Sequence, residues 1–123
     1  VIRLLADAHM SRWFVKARTR LQADFPIIHI ADGMQGIRRT SKDTGLLRAL
    51  LDHDLITVGF DRRTMAKHAG ELTSKGSGHA GVILFRRSVL QMDYGKQSRL
   101  LVEFWREAAD WHWGDRIQYL PKG

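Results

Sequence analysis

Strand-length apolar runs recur along this chain, separated by segments with helical spacing, and that alternation constrains the fold more than any other feature. The runs are Ile2 to Ala6, Pro26 to Ile30, Leu55 to Gly59, Gly81 to Phe85 and Arg116 to Leu120. After the first, Met10, Phe14, Ala17 and Leu21 fall on one helical face, with Ser11 placed to cap it. Leu46, Leu47, Leu50 and Leu51 make a second stripe behind a cap at Thr40 or Ser41. A third helix starts at about Arg62 and fades into Thr73 to Gly78, and a long fourth carries Leu100, Leu101, Phe104 and Ala108. Strands that alternate with helices through short connections build βαβ units, and their crossovers leave a parallel sheet sandwiched between helices. The expected fold is therefore α/β, a three-layer α/β/α arrangement around a mainly parallel sheet of about five strands. A single domain is expected over 1–123, since neither a linker nor a repeat interrupts the pattern.

At 123 residues the chain can bury one proper core. It has no cysteine, which excludes disulfide scaffolds, thiol nucleophiles and zinc–thiolate sites and fits a reducing cytoplasm. Its apolar stretches are strand-sized, too short for a membrane helix, and no charged-then-apolar leader opens it, so a cytoplasmic location without a membrane is expected. The net charge of +7 favours an anionic partner through long-range attraction, nucleic acid first among them. Arginines recur in the pairs Arg38-Arg39, Arg62-Arg63 and Arg86-Arg87. The first two flank a pair of aspartates and would place cationic arms around them.

Those aspartates are the candidate site. Asp7 ends the first strand run and Asp61 ends the third, while Asp43 stands in the first turn of the leucine-striped helix. In open α/β sheets ligands bind beyond the carboxyl ends of the strands, where Asp7 and Asp61 fall. Asp43 precedes Leu46 and Leu47 by helical spacing, which aims it at the sheet. Converging carboxylates repel unless a cation lies between them, and a hard divalent ion suits oxygen ligands. Each acid also has an ordinary explanation. Thr40 to Asp43 fits a capping box, Asp61 fits a helix N-cap, and Asp7 could close a loop.

Other motifs carry less. Gly76-Ser77-Gly78-His79-Ala80-Gly81 spells the glycine fingerprint of dinucleotide sites, but it follows a helix and leads into a strand. The fingerprint works only in the reverse order, with a helix N-terminus on the pyrophosphate, so this is read as a loop. The histidines have no ligand spacing. His29 reads as a core or edge residue, and only His9, two residues past Asp7, stands beside the acids. Trp105, Trp111 and Trp113 read as packing over one face, with an exposed aromatic C-terminus as a contact surface.

The order Leu4-Leu5-Ala6-Asp7, then Ser41-Lys42-Asp43 before a leucine-rich helix, then Thr57 to Met65 around Asp61-Arg62-Arg63-Thr64 resembles the PIN-like domains. The nearest branch is that of compact bacterial proteins related to toxin–antitoxin ribonucleases, and Gly81 to Leu84 and Ile117 to Pro121 extend the likeness along most of the chain. The resemblance implies a PIN-type α/β/α fold and Mg²⁺- or Mn²⁺-dependent cleavage of RNA, in which a metal-activated water attacks phosphorus in line. It implies metal ligation and catalysis by Asp7, Asp43 and Asp61, with Thr64 positioning the water. His9, Arg38, Arg39, Arg62 and Arg63 would hold the RNA backbone. It further implies a cognate antitoxin protein and a homodimer as partners. Two departures bear on activity. Relatives often carry Asp-Glu-Asn where this chain has Asp7-Ala8-His9, and another acid where it has Arg63. Fewer carboxylates hold a second cation less well. The alternatives are a catalytically degenerate PIN-like module that binds RNA or protein and, last, a phospho-accepting receiver-like domain.

Overall fold

A computed structural model of the chain describes residues 3–7, 10–11, 13–15, 25–30, 50–60 and 63–122, with backbone alone for Arg63 and Thr64. Five strands form one sheet: β1 (Leu4–Ala6), β2 (Ile27–His29), β3 (Ile56–Phe60), β4 (Val82–Phe85) and β5 (Ile117–Leu120). Two helices are described in full, α1 (Arg63–Ser74) and α2 (Tyr94–Ala108), and 13–15 and 50–52 are also helical. Every pairing is parallel, and the strand order is β2-β1-β3-β4-β5. The α/β fold expected from the alternation is the one observed.

Pleating sorts the strand residues onto two faces, since successive side chains point to opposite sides. One face carries Leu4, Ala6, Ile27, Ile56, Val58, Phe60, Ile83 and Phe85, packed with Phe14 and with Leu101, Phe104 and Trp105 of α2. On the other, Leu5 packs with Leu50 and Ile30, and Val82 and Leu84 pack with Met65, Ala69 and Leu72 of α1. Helices thus cover both faces, which is why β3 and β4 read as unbroken apolar runs.

One connection breaks a strong regularity. The steps from β3 to β4 and from β4 to β5 run in the same direction along the sheet. Yet α1 covers one face and α2 the other. The two crossovers therefore have opposite hands. Just before β3, Leu50 packs on the α1 face. Right-handed crossovers prevail in about 98% of cases, so one of the two departs from the usual hand, and β4 to β5 is the step that leaves the α1 face. Its consequence is local: residues 86–93 must turn from the carboxyl end of β4 over to the α2 face.

The aromatic C-terminus differs from its expected exposure. Trp105 and Trp113 are buried, with rings 5.8 Å apart, and the Trp113 indole donates a 2.8 Å hydrogen bond to the Ala108 carbonyl. Phe104 meets Trp111 edge-on at 5.4 Å. These rings close the end of the core, which supports the packing reading and removes them as a contact surface. Among the described residues the large apolar side chains that are exposed are Trp13, Leu51, Leu90 and Met92. Among the described residues no helix is long and apolar enough to cross a membrane.

The glycine-rich loop has the geometry of a connection. Gly76, Gly78 and Gly81 take φ of 78°, 74° and 122°, values that side chains strain to adopt. Between them His79 is buried; its Nδ1 accepts from the Gly81 amide at 3.2 Å, and its Nε2 has no hydrogen-bond partner. Desolvation lowers the His79 pKa below the ordinary 6.5, with the nearby Asp115 carboxylate opposing that shift. A base whose folded pKa is depressed binds fewer protons folded than unfolded, so stability is complete above about pH 6.5 and declines as pH falls through it. We expect the melting temperature to drop on acidification below that point. His79→Gln should flatten the drop, and an unchanged slope in the variant would assign it to other groups.

Candidate functional site at the carboxyl edge of the sheet

Two neighbouring connections leave a doubly wound sheet on opposite sides where the strand order reverses, and ligands bind in the crevice that opens there. In this sheet the reversal lies between β1 and β3, with β2 beyond β1 and β4 beyond β3. Asp7 stands at that point. Its amide donates to the Val58 carbonyl at 3.0 Å, which continues the β1–β3 ladder one residue past β1. Its carbonyl accepts from the Met10 amide at 3.1 Å, closing a tight turn. His29 of β2 braces the turn from the other side, its Nε2 donating to the Met10 carbonyl at 2.6 Å. The core histidine read from the sequence therefore helps to hold the backbone next to Asp7.

The pleat carries the Asp7 side chain onto the α1 face, over β3. There its carboxylate occupies the space that a side chain at Gly59 would fill: a β-carbon at Gly59 would overlap Oδ2 and lie 3.1 Å from Cγ. Asp7 is only 6% exposed. Placing a carboxylate so deep is costly unless donors or a cation offset its charge. The glycine in the middle of β3 thus has a specific use, admitting the carboxylate of β1 against the neighbouring strand.

Of the residues expected at the site, Asp7 is the one whose side chain is described. Asp43, Asp61, His9, Arg38, Arg39 and Arg62 lie outside the described residues, as do the side chains of Arg63 and Thr64, whose backbone opens α1. Two local observations bear on them. Asp61 follows Phe60, the last residue of β3, directly in sequence. Leu50, on the helix stripe that Asp43 precedes, packs against Leu5 on the face that carries the Asp7 carboxylate. Among the described residues no group of three or more His, Asp or Glu could hold a metal ion. Asp7 alone supplies one hard oxygen ligand, which suits Mg²⁺, an ion commonly held through one or two carboxylates with water and phosphate.

A second element of this edge is a cleft of about 410 Å³ at the ends of β3 and β4. Phe60, Phe85 and Val89 form its floor, and Arg86, Arg87, Leu90 and Gln91 its walls. It lies on the α2 side of the edge because residues 86–93 turn from β4 to that face. Arg86 is anchored: its Nε donates to the Pro121 carbonyl at 2.7 Å and its guanidinium lies 5.3 Å from the Tyr119 ring centre. Arg87 is exposed and forms no ion pair with the described residues. Arginines at the opposite edge are tied into the structure, Arg3 to the Ala109 carbonyl at 2.8 Å and Arg116 over the Trp111 ring at 4.8 Å. Free positive charge among the described strand ends therefore sits on the carboxyl side. The sequence signal for Arg86 and Arg87 was their place just after a strand, the same signal that marked Asp7, but no acid stands beside them to draw attention.

No family model, no curated protein and no solved structure matches the chain. The fold and the site define a doubly wound α/β domain with a buried acid at its topological switch point and arginines on the same edge. Function must be argued from that site.

Proposed function

We propose that the chain is a PIN-like, metal-dependent endoribonuclease, acting as the toxin component of a toxin–antitoxin pair. The observation that carries this reading is the Asp7 carboxylate, buried over Gly59 at the switch point of a basic chain. Asp7, with Asp43 and Asp61, would hold Mg²⁺ or Mn²⁺. A bound cation there would polarise the phosphoryl oxygens and acidify a water, supplying several kcal/mol of transition-state stabilisation. The chain's own part is to fix the Asp7 carboxylate, through the Val58 and Met10 backbone bonds and the His29 brace, and to hold RNA phosphates with arginines. Thr64 would orient the attacking water, and His9, Arg38, Arg39, Arg62 and Arg63 would grip the backbone. A degenerate domain that binds RNA without cutting it is the second reading, favoured by Ala8 and Arg63 at positions where relatives carry acids.

The strand order is also that of receiver domains. Three features weigh against that reading. Only one acid follows β1. The lysine past β5, Lys122, is paired with Glu107. The last crossover lies on the wrong face for an all-right-handed winding.

RNA binding is the direct test. Filter binding of unrelated single-stranded RNAs should weaken steeply with salt, with a log–log slope of about −0.7 per contacted phosphate. Salt-independent affinity, or no binding at low salt, would remove RNA as the partner.

A further inference from the structure

We infer that the cleft at the ends of β3 and β4 is a subsite for one unstacked nucleotide of the RNA, with Leu90 against its base and Arg87 on its phosphate. The inference rests on the ribonuclease reading and adds to it a second point of contact, on the far side of the sheet edge from Asp7. Neighbouring strands lie about 4.8 Å apart, so along the edge the cleft is displaced by about one strand from the carboxylate over Gly59, on the opposite face of the sheet. A strand crossing the edge would meet both.

The lining has the chemistry of a nucleotide site. Among the described residues it contains no acid, and it joins an apolar floor of Phe60, Phe85 and Val89 to a cationic rim of Arg86 and Arg87. Leu90 is 69% exposed at its wall, so its side chain is free to cover the face of a base. The volume of about 410 Å³ lies at the small end of ligand sites, which run to about 1,000 Å³. It suits a single nucleotide and is too small for a duplex. A base paired within a helix cannot enter such a recess, so the site selects single-stranded or looped RNA.

The wall is also fixed in place. The Val89 amide donates to the Arg86 carbonyl at 2.9 Å. From α2, buried Gln97 donates through Nε2 to the Leu90 and Gln91 carbonyls at 2.8 and 3.1 Å. The N-terminus of that helix is capped by Asp93, which accepts from the Lys96 amide. A loop pinned from behind at its carbonyls presents Leu90 and Arg87 outward with little backbone left to order on binding.

Fluorescence anisotropy with the full chain, in chelator and at low salt, tests this without any demand on catalysis. The probes are a labelled hexauridylate and a hexamer of the same backbone without bases. The native chain should bind hexauridylate about fivefold tighter, the gain of about 1 kcal/mol expected from burying apolar surface between one base and Leu90. Leu90→Ser should remove that difference and leave the base-free affinity unchanged, whereas Arg87→Ala should weaken both probes and reduce the salt slope by about 0.7. Both positions are exposed, so folding is not at stake. Equal affinity of the native chain for the two probes would overturn the subsite. It would mark the edge as a general polyanion surface, or the cleft as a groove for an apolar peptide, while leaving RNA binding intact. Binding of neither probe would overturn the subsite and the ribonuclease reading together.

Discussion

Asp7→Asn should abolish metal-dependent RNA cleavage, with a loss of at least about a hundredfold. That is the rate equivalent of the several kcal/mol that a correctly held cation supplies. Asparagine keeps the size of the side chain and can rest over Gly59 as aspartate does, so the change tests the charge. Stability separates a metal ligand from a structural acid. At a concentration about a hundredfold above its dissociation constant, Mg²⁺ or Mn²⁺ should stabilise the native chain by about 2.7 kcal/mol. For a domain of this size that is a rise of roughly 10 °C in melting temperature. Asp7→Asn should erase the rise. The same measurements on Asp43→Asn and Asp61→Asn extend the test to the other two acids. If metal leaves the melting temperature of the native chain unchanged, Asp7 is a loop-closing acid. A metal shift without cleavage would select the degenerate module.

The second large effect concerns the glycine beneath the carboxylate. On backbone entropy alone, Gly59→Ala in the middle of β3 should stabilise the chain by about 0.5–1 kcal/mol. The overlap with the Asp7 carboxylate reverses that sign. Overpacking in a tight core costs about 1–3 kcal/mol, which exceeds the entropic gain. The variant should therefore be less stable, and because its carboxylate is displaced it should also lose the metal-induced shift. A double-mutant cycle isolates the cause. In an Asp7→Ala background the overlap is gone, so Gly59→Ala should become neutral or stabilising, with a coupling energy of about 1–3 kcal/mol between the sites. Equal costs in the two backgrounds would mean that the carboxylate does not rest on Gly59.

These two experiments probe different links. Asp7→Asn asks what the carboxylate does, and Gly59→Ala asks whether the fold holds it where the mechanism needs it. Chemical denaturation gives the second answer without an RNA substrate, so the geometry can be established even if the partner proves to be something other than RNA.

The strands were legible from local pattern, with β3 beginning at Ile56 and ending at Phe60 where the apolar run spanned Leu55 to Gly59. So were the stripe that became α2, the Ser11 cap, whose hydroxyl accepts from the Trp13 amide at 3.1 Å, and the loop nature of Gly76 to Gly81. All of these depend on residues a few positions apart, which interact before any tertiary contact forms and so leave a period in the sequence. The sheet's parallel sense followed from the same alternation. Asp7 was visible as an acid after a strand, because the backbone groups beyond a strand end need a turn and the carboxyl end of a parallel sheet is where chemistry gathers.

What only the tertiary structure decided involves partners distant in the chain. Strand order places β1 between β2 and β3 and so makes the end of β1 the switch point. No local period encodes that order, since β1 reads alike at the edge or the centre. The seat of the Asp7 carboxylate over Gly59, the His29 brace on the Met10 carbonyl and the burial of Trp105 and Trp113 arise from such contacts too. The cleft walled by Arg87 and Leu90 exists because α2 crosses on the face opposite α1, and the hand of a crossover is set by packing. The sequence by itself determined which segments are strands and helices and which acid ends β1. The relative placement of those segments, and with it the site, came from long-range packing, whose energy depends on three-dimensional neighbours that spacing along the chain does not record.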